Sequence, residues 1–293
     1  IPDLTGQIVL VTGGTGGIGA EVVVELAKHK PDRILFTGRN TKSAEAVIQR
    51  GRAVAPAVNI SFVPCDLASL GSVREAADKI LSECPRLDLF LANAGVMAKP
   101  AVLSADGYET HFATNHVGHA LLIRKLLPLL EKTADLAGAD VRIIYTTSLA
   151  WRGGKIPFDS LKTTKDGPVM GRWFRYGNSK LANLLYAREL ARRHPKVLSL
   201  SIHPGVVGTG LVNDLRLFDR MFVKASQLGR ILTPEQGAFN NLWSVSAPRA
   251  SIAPGAFYEP VGRLSTTETA QSRDPELASK LWDWTEKELE KWM

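Results

Sequence analysis

Tyr176 and Lys180 stand four residues apart in RYGNSKLANLLY (175–186), at the head of a leucine-rich run. Residues i and i+4 stack on one face of an α-helix, so a phenol and an ammonium would lie side by side. A free phenol, with a pKa of about 10, donates its proton reluctantly and hardly acts as a base near neutrality. A cation one turn away stabilises the phenolate, and bringing the pKa towards neutrality takes about 4 kcal/mol. Such a pair suits proton transfer at an oxygen that gains negative charge, as a ketone oxygen does when it accepts hydride. The motif alone is equally that of a surface pair whose stems cover the core, so its neighbours have to decide.

Those neighbours are set by the order of elements. Short apolar, β-branched runs recur at 7–13, 33–38, 60–65, 87–95, 141–148 and 197–205, with amphipathic stretches at 21–29, 72–83 and 118–130 between them. Strand runs with little alternation, separated by helix-length segments, predict a parallel sheet covered on both faces. The fold class is therefore α/β, a single-domain Rossmann fold whose doubly wound, mostly parallel sheet has about seven strands. Ligands of such sheets bind beyond the carboxyl ends of the strands. Gly13, Asn93, Ser148 and Pro204 each fall at or just past a strand end, which places the candidate chemistry in one region.

The turn after the first strand, TGGTGGIG (12–19), spaces Gly13, Gly17 and Gly19 as G-x-x-x-G-x-G. Glycines there permit positive φ and close approach of the backbone to a pyrophosphate, which the next helix attracts through its free N–H groups. A flexible glycine loop is the alternative, but a buried strand precedes it and an amphipathic helix follows. At the end of the second strand an NAD-selective site would carry an acid for the ribose 2′-hydroxyl. TGRN places Arg39 and Asn40 there instead. A guanidinium pairs with a 2′-phosphate that a carboxylate would repel, so NADP(H) is the expected cofactor.

Composition narrows the class of partner. With 36 Lys and Arg against 29 Asp and Glu, the net charge is +7 over 293 residues. The basic residues are scattered and not interleaved with aromatics, so a nucleic-acid partner is not expected, whereas an anionic cofactor fits. Cys65 and Cys84 lack metal spacing and suit a reducing compartment, and the expected localisation is cytoplasmic. His116 and His119 lie i, i+3, but no acid or cysteine at ligand spacing completes a metal site with them or with His111, so helix packing is the expectation. The opening IPDLTGQIVL is not a signal peptide, although a chain starting at Ile1 leaves a preceding targeting segment open. No repeat or linker divides the chain, and an assembly of two or four copies stays open.

TGGTGGIG, CDL (65–67), ANAG (92–95), TNHVGH (114–119), TTS (146–148), the Tyr176/Lys180 pair and HPGVVGT (203–209) follow one another in the order of the short-chain dehydrogenase/reductase superfamily. The chain resembles that superfamily over nearly its whole length, and within it the branch of retinol-dehydrogenase-like and WW-domain-oxidoreductase-like proteins, which also holds reductases of secondary metabolism. The resemblance implies that Asn115, Ser148, Tyr176 and Lys180 form the catalytic set. Tyr176 would be the general acid/base, Lys180 would lower its pKa and bind ribose, Ser148 would hold the substrate oxygen, and the Asn115 side chain would order a relay water. Gly13, Thr15, Gly17, Ile18 and Gly19 would hold the pyrophosphate, and Asp66 and Leu67 would meet the adenine. Asn93, Ala94 and Gly95 would line the nicotinamide ribose side, with Pro204, Val207 and Thr209 by the carboxamide. Where many members read Asn-Asn-Ala-Gly, this chain has Ala92 first.

Two segments should shape the substrate site: 151–173, between Ser148 and Tyr176, and 211–231, after PGVVGT. The second is amphipathic and is expected to be a lid closing over an apolar substrate; a core segment and an interfacial membrane helix are the alternatives. Trp151, Met170, Trp173 and Phe174 favour a bulky hydrophobic ketone, aldehyde or alcohol. Redox-neutral enzymes of the same fold (epimerases, dehydratases, cyclases) and cofactor-binding regulators are the rival functions. The tail 277–292 reads as an amphipathic helix packed on the domain or on a second subunit.

Overall fold

The computed structural model describes residues 1–164, 170–210 and 231–293. Its sheet has eight strands in the order β3-β2-β1-β4-β5-β6-β7-β8. They are β1 Ile8–Val11, β2 Arg33–Gly38, β3 Asn59–Pro64, β4 Leu89–Ala92, β5 Arg142–Thr146, β6 Leu198–Ile202, β7 Phe257–Glu259 and β8 Arg263–Leu264. All pair in parallel except β7 and β8, which form an antiparallel edge. The count thus exceeds the expected seven by one two-residue strand, too short to leave a periodic signal.

The helices among the described residues are α1 Gly17–Ala27, α2 Thr41–Val54, α3 Leu70–Glu83, the single turn α4 Thr110–Phe112, α5 Gly118–Ala134, α6 Gly171–Arg193, α7 Pro234–Ser246 and α8 Pro275–Leu289. They cover both faces, which is why the strands alternate so little. In β1, Ile8 and Leu10 join the core cluster under α3, α5 and α6, while Val9 and Val11 join the one under α1, α2 and α7. Each face therefore requires apolar side chains at alternate positions, and the strand reads as continuously hydrophobic. The tail helix α8 packs on α6 of the same chain. No helix among the described residues is long and apolar enough to cross a membrane.

Chain order reverses direction between β1 and β4, and a crevice opens beyond the carboxyl ends at that switch point. The π-helical turn Ala113–Val117 interrupts the run from α4 into α5 and carries Asn115. Residues 165–169, and all of the expected lid except Ile231, lie outside the described residues.

Candidate active site

The crevice has a volume of about 520 Å³, and the strand-end residues line it from both halves of the sheet. Gly13, Thr15, Gly17 and Ile18 form one end, followed by Arg39, Asp66 and Leu67, then Asn93, Ala94 and Gly95, with Tyr176, Lys180, Pro204 and Thr209 opposite. Two glycines of the loop are obligatory for steric reasons. Gly13 has φ +68°, and an added Cβ would lie 2.9 Å from the Ala94 Cα; Gly17 has φ +52°, with its Cβ position 3.0 Å from the Thr209 methyl. The N-terminus of α1 has no side-chain cap and no acid in its first turn, whereas Asn40, Ser69, Thr233 and Asp274 cap α2, α3, α7 and α8. Uncapped N–H groups behind a glycine cradle suit the pyrophosphate of a dinucleotide. At the outer end Arg39 is exposed and, with Thr15, Asn40 and Thr41, borders an adjoining notch. No ion pair engages it among the described residues, so the guanidinium is available to an anion.

Three of the expected contact residues also have packing or capping roles. Gly19 packs behind the wall: its Cβ position is 2.4 Å from the Gly13 carbonyl, so its role is the close approach of α1 to the β1 turn. Val207 is buried against Gly237 of α7 and bridges to Leu232. The Asn40 side-chain Oδ1 accepts from the Ser43 N–H at 2.9 Å and so caps α2.

Tyr176 and Lys180 lie on the buried face of α6, as their spacing predicts. Burial shapes the electrostatics of both. Burial pushes the Tyr176 phenol up to about 12, and Ser148, close to its hydroxyl, draws it back only in part. Burial also lowers the Lys180 ammonium to about 8. The Lys180 Nζ donates to the Thr146 carbonyl at 2.9 Å and lies 5.8 Å from the centroid of the Tyr176 ring. In the cofactor-free chain desolvation is the largest influence on the Tyr176 phenol.

Asn115 is fully buried, and its side chain is committed to protein partners. Its Oδ1 accepts from the Val96 N–H at 2.8 Å, while Nδ2 donates to the Val96 carbonyl at 3.0 Å and to Ser179 Oγ at 2.9 Å. Both amide hydrogens are thereby used, and only the second lone pair of Oδ1 is left for a water. The side chain anchors the backbone just beyond Gly95. A Cβ on Gly95 would sit 3.2 Å from Asn115 Oδ1 and 3.3 Å from Lys180 Nζ, so a glycine there keeps this corner open. Ser148 also caps the short 3₁₀ turn after β5, its Oγ accepting from the Ala150 N–H at 3.3 Å.

Apolar side chains stand beside the tyrosine. Met97 and Tyr176 form a separate small cluster against which Ala98, Ala150, Trp173 and Val206 pack. The three histidines go to separate partners. His111 bonds Glu109 at 2.7 Å, His116 bonds Thr285 at 3.0 Å, and His119 bonds Thr12 at 2.8 Å. Sequence reasoning missed the contributions of Thr12, Val96 and Ser179, whose contacts with His119 and Asn115 join residues 107, 19 and 64 apart. The threonine at the end of VLVT was the one available signal.

A glycine-cradled crevice at a switch point, with serine, tyrosine and lysine converging at one end, defines a nicotinamide-dependent oxidoreductase by fold and site. The chain belongs to the short-chain dehydrogenase family, whose model, described as short chain dehydrogenase, matches residues 7–219. It is 33% identical over 307 residues to the short-chain dehydrogenase/reductase drtF of Aspergillus calidoustus, covering 99% of this chain and 96% of that one. It is 33% identical over 282 residues to human retinol dehydrogenase 12, covering 96% and 85%. A crystal structure of a protein from Mycobacterium paratuberculosis superposes with TM-score 0.77 at 28% identity, covering 99% and 96% of the two chains. The resemblance read from the motifs thus holds over the whole chain, retinol-dehydrogenase-like branch included.

Proposed function

We propose that the protein is an NADPH-dependent reductase of bulky hydrophobic ketones or aldehydes, working reversibly on the corresponding alcohols. The observation that carries this reading is the placement of Tyr176, buried at the apolar end of the crevice with Ser148 against its hydroxyl and Lys180 one helical turn on. Burial raises the pKa of the phenol to about 12, so Tyr176 is protonated at neutral pH, and giving that proton to an oxygen that becomes negatively charged requires stabilisation of the phenolate. Ser148 holds that oxygen by a hydrogen bond within reach of the phenol. Lys180, one helical turn on and buried, supports the phenolate left behind, and the Asn115 clamp fixes the wall opposite. The cofactor, when bound, supplies the hydride; the glycine loop and uncapped α1 would hold its pyrophosphate, and Arg39 its 2′-phosphate. Met97, Trp173 and Val206 around Tyr176 offer an apolar flank, which supports a hydrophobic carbonyl compound over a small polar one. Retinol, named in human retinol dehydrogenase 12, is a bulky hydrophobic alcohol, which supports this reading.

The test is oxidation of NADPH and of NADH against a panel of bulky hydrophobic ketones and aldehydes. Wild type should consume NADPH preferentially, Tyr176→Phe should lose activity by about 10³-fold or more, and Arg39→Asp should move the preference to NADH. Conversion of a substrate without net cofactor oxidation would replace this reading with a redox-neutral one.

A further inference from the structure

Thr12 and His119 lie outside the set that touches the crevice, yet they join three of its parts. Thr12, the residue after β1, is fully buried, and its Oγ1 accepts from the backbone N–H of Asn93 at 2.9 Å and of Ala94 at 3.0 Å. The Asn93 side chain returns a bond from Nδ2 to the Thr12 carbonyl at 3.0 Å. The hydroxyl proton then has two acceptors, the His119 Nε2 at 2.8 Å and the more distant Leu91 carbonyl at 3.4 Å. His119 is also fully buried, and its Nδ1 lies 3.0 Å from the backbone carbonyl of Asn115.

These contacts admit one consistent order of protons. A carbonyl only accepts, so Nδ1 carries the hydrogen and donates to Asn115. In the neutral ring Nε2 is then bare and accepts from Thr12, whose oxygen in turn accepts from Asn93 and Ala94. Burial keeps the imidazole neutral, with its pKa down at about 4, so this order holds over the working pH range. The chain of bonds runs from the turn at 93–94, through Thr12 and His119, to the carbonyl of Asn115. The Asn115 side chain closes it by holding Val96 at both backbone atoms. Gly95, between the two anchors, is the residue whose open side faces Asn115 Oδ1 and Lys180 Nζ.

We infer that His119 is a positioning residue that, with Thr12, sets the height of the 93–96 turn under the reacting end of the crevice. The inference rests on the proposed reductase reading for its kinetic consequence, but not for its structural one. A histidine suits the place because one neutral ring donates on one side and accepts on the other. Glutamine can reproduce that pair of bonds, whereas phenylalanine fills the space with neither.

The experiment compares wild type with His119→Phe, His119→Gln and Thr12→Val by two readouts. The first is hydrogen–deuterium exchange of the amides at 93–96, which needs no turnover. The second separates kcat from the NADPH Kd in fluorescence titration. His119→Phe and Thr12→Val should each speed exchange at 93–94 by tenfold or more and lower kcat at least tenfold, with Kd changed by less than threefold. Glutamine should restore most of both, and the Phe/Val double variant should be no worse than either alone, because the two residues act through one chain of bonds. Unchanged exchange at 93–94 in His119→Phe would overturn the inference whatever the activity, as would a glutamine variant as impaired as the phenylalanine one. If wild type turns over no carbonyl compound, the reductase reading falls, and exchange alone still decides the role of His119.

Discussion

Lys180 shows how a site residue can be unfavourable to the fold that carries it. Its buried ammonium donates to the Thr146 carbonyl and has no ion pair with a carboxylate among the described residues; burial takes its pKa to about 8 from 10.5. Between those values the unfolded chain holds a proton that the folded chain has released. Stability therefore rises with pH across the window from about 8 to 10.5 and carries the full penalty below it. Relative to Lys180→Met, the cofactor-free wild type should gain on the order of 3 kcal/mol over that window. Urea denaturation of both proteins at a series of pH values measures it, and parallel pH profiles would mean that the lysine keeps its ordinary pKa. The variant should be inactive throughout. The converse case is Cys65, whose thiol burial pushes up to about 12; it lines the crevice but stays protonated and unreactive at neutral pH.

Among the elements, α6 has two jobs, and its two ends divide them. The N-terminal half presents Tyr176 and Lys180 to the crevice, while the C-terminal half is held down by α8. There the Trp282 ring stacks on Tyr186 at 4.7 Å and 15°, with the guanidinium groups of Arg193 at 5.1 Å and Arg124 at 5.7 Å from it. Trp282→Ala should cost about 3–5 kcal/mol of stability and leave kcat within a few-fold at temperatures where the variant is folded. Denaturant titration with parallel kinetics checks this, and a kcat loss as large as that of Tyr176→Phe would show that α8 sets the catalytic geometry. What was legible in sequence follows from the same division. Strands with two buried faces and helices with one were readable from local pattern, and so were the strand ends bearing Gly13, Asn93, Ser148 and Pro204. The π-helical turn at Asn115 was not, because a shift from four-residue to five-residue hydrogen bonding leaves hydrophobic periodicity almost unchanged over one turn. Nor was the commitment of the Asn115 side chain, since Val96 and Ser179 reach it only once β4, α5 and α6 are packed. The burial of Tyr176 was hidden for a related reason: i, i+4 spacing gives proximity but not the desolvation that raises the phenol's pKa.

For the whole molecule, the decisive feature is that the crevice runs across the switch point of the sheet. Gly13, Arg39 and Asp66 belong to the β1–β3 half, and Asn93, Tyr176 and Pro204 to the half built on β4–β6. The sheet is continuous between them, and each of the two core clusters draws on strands from both halves. A dinucleotide that spans the crevice would bind the folded state and not the unfolded chain, so it should raise the stability of the whole unit and not of one half. At a free concentration of 100 Kd the gain is about 2.7 kcal/mol. If the exposed Arg39 pairs with the 2′-phosphate as proposed, NADPH should reach it at lower concentration than NADH, and Arg39→Asp should reverse the order. Thermal unfolding at increasing cofactor concentration reads this without any substrate. Equal midpoints with the two cofactors would remove the NADPH preference and leave the dinucleotide site intact. A midpoint that neither cofactor moves at millimolar concentration would instead deny the crevice its ligand, and the reductase reading with it.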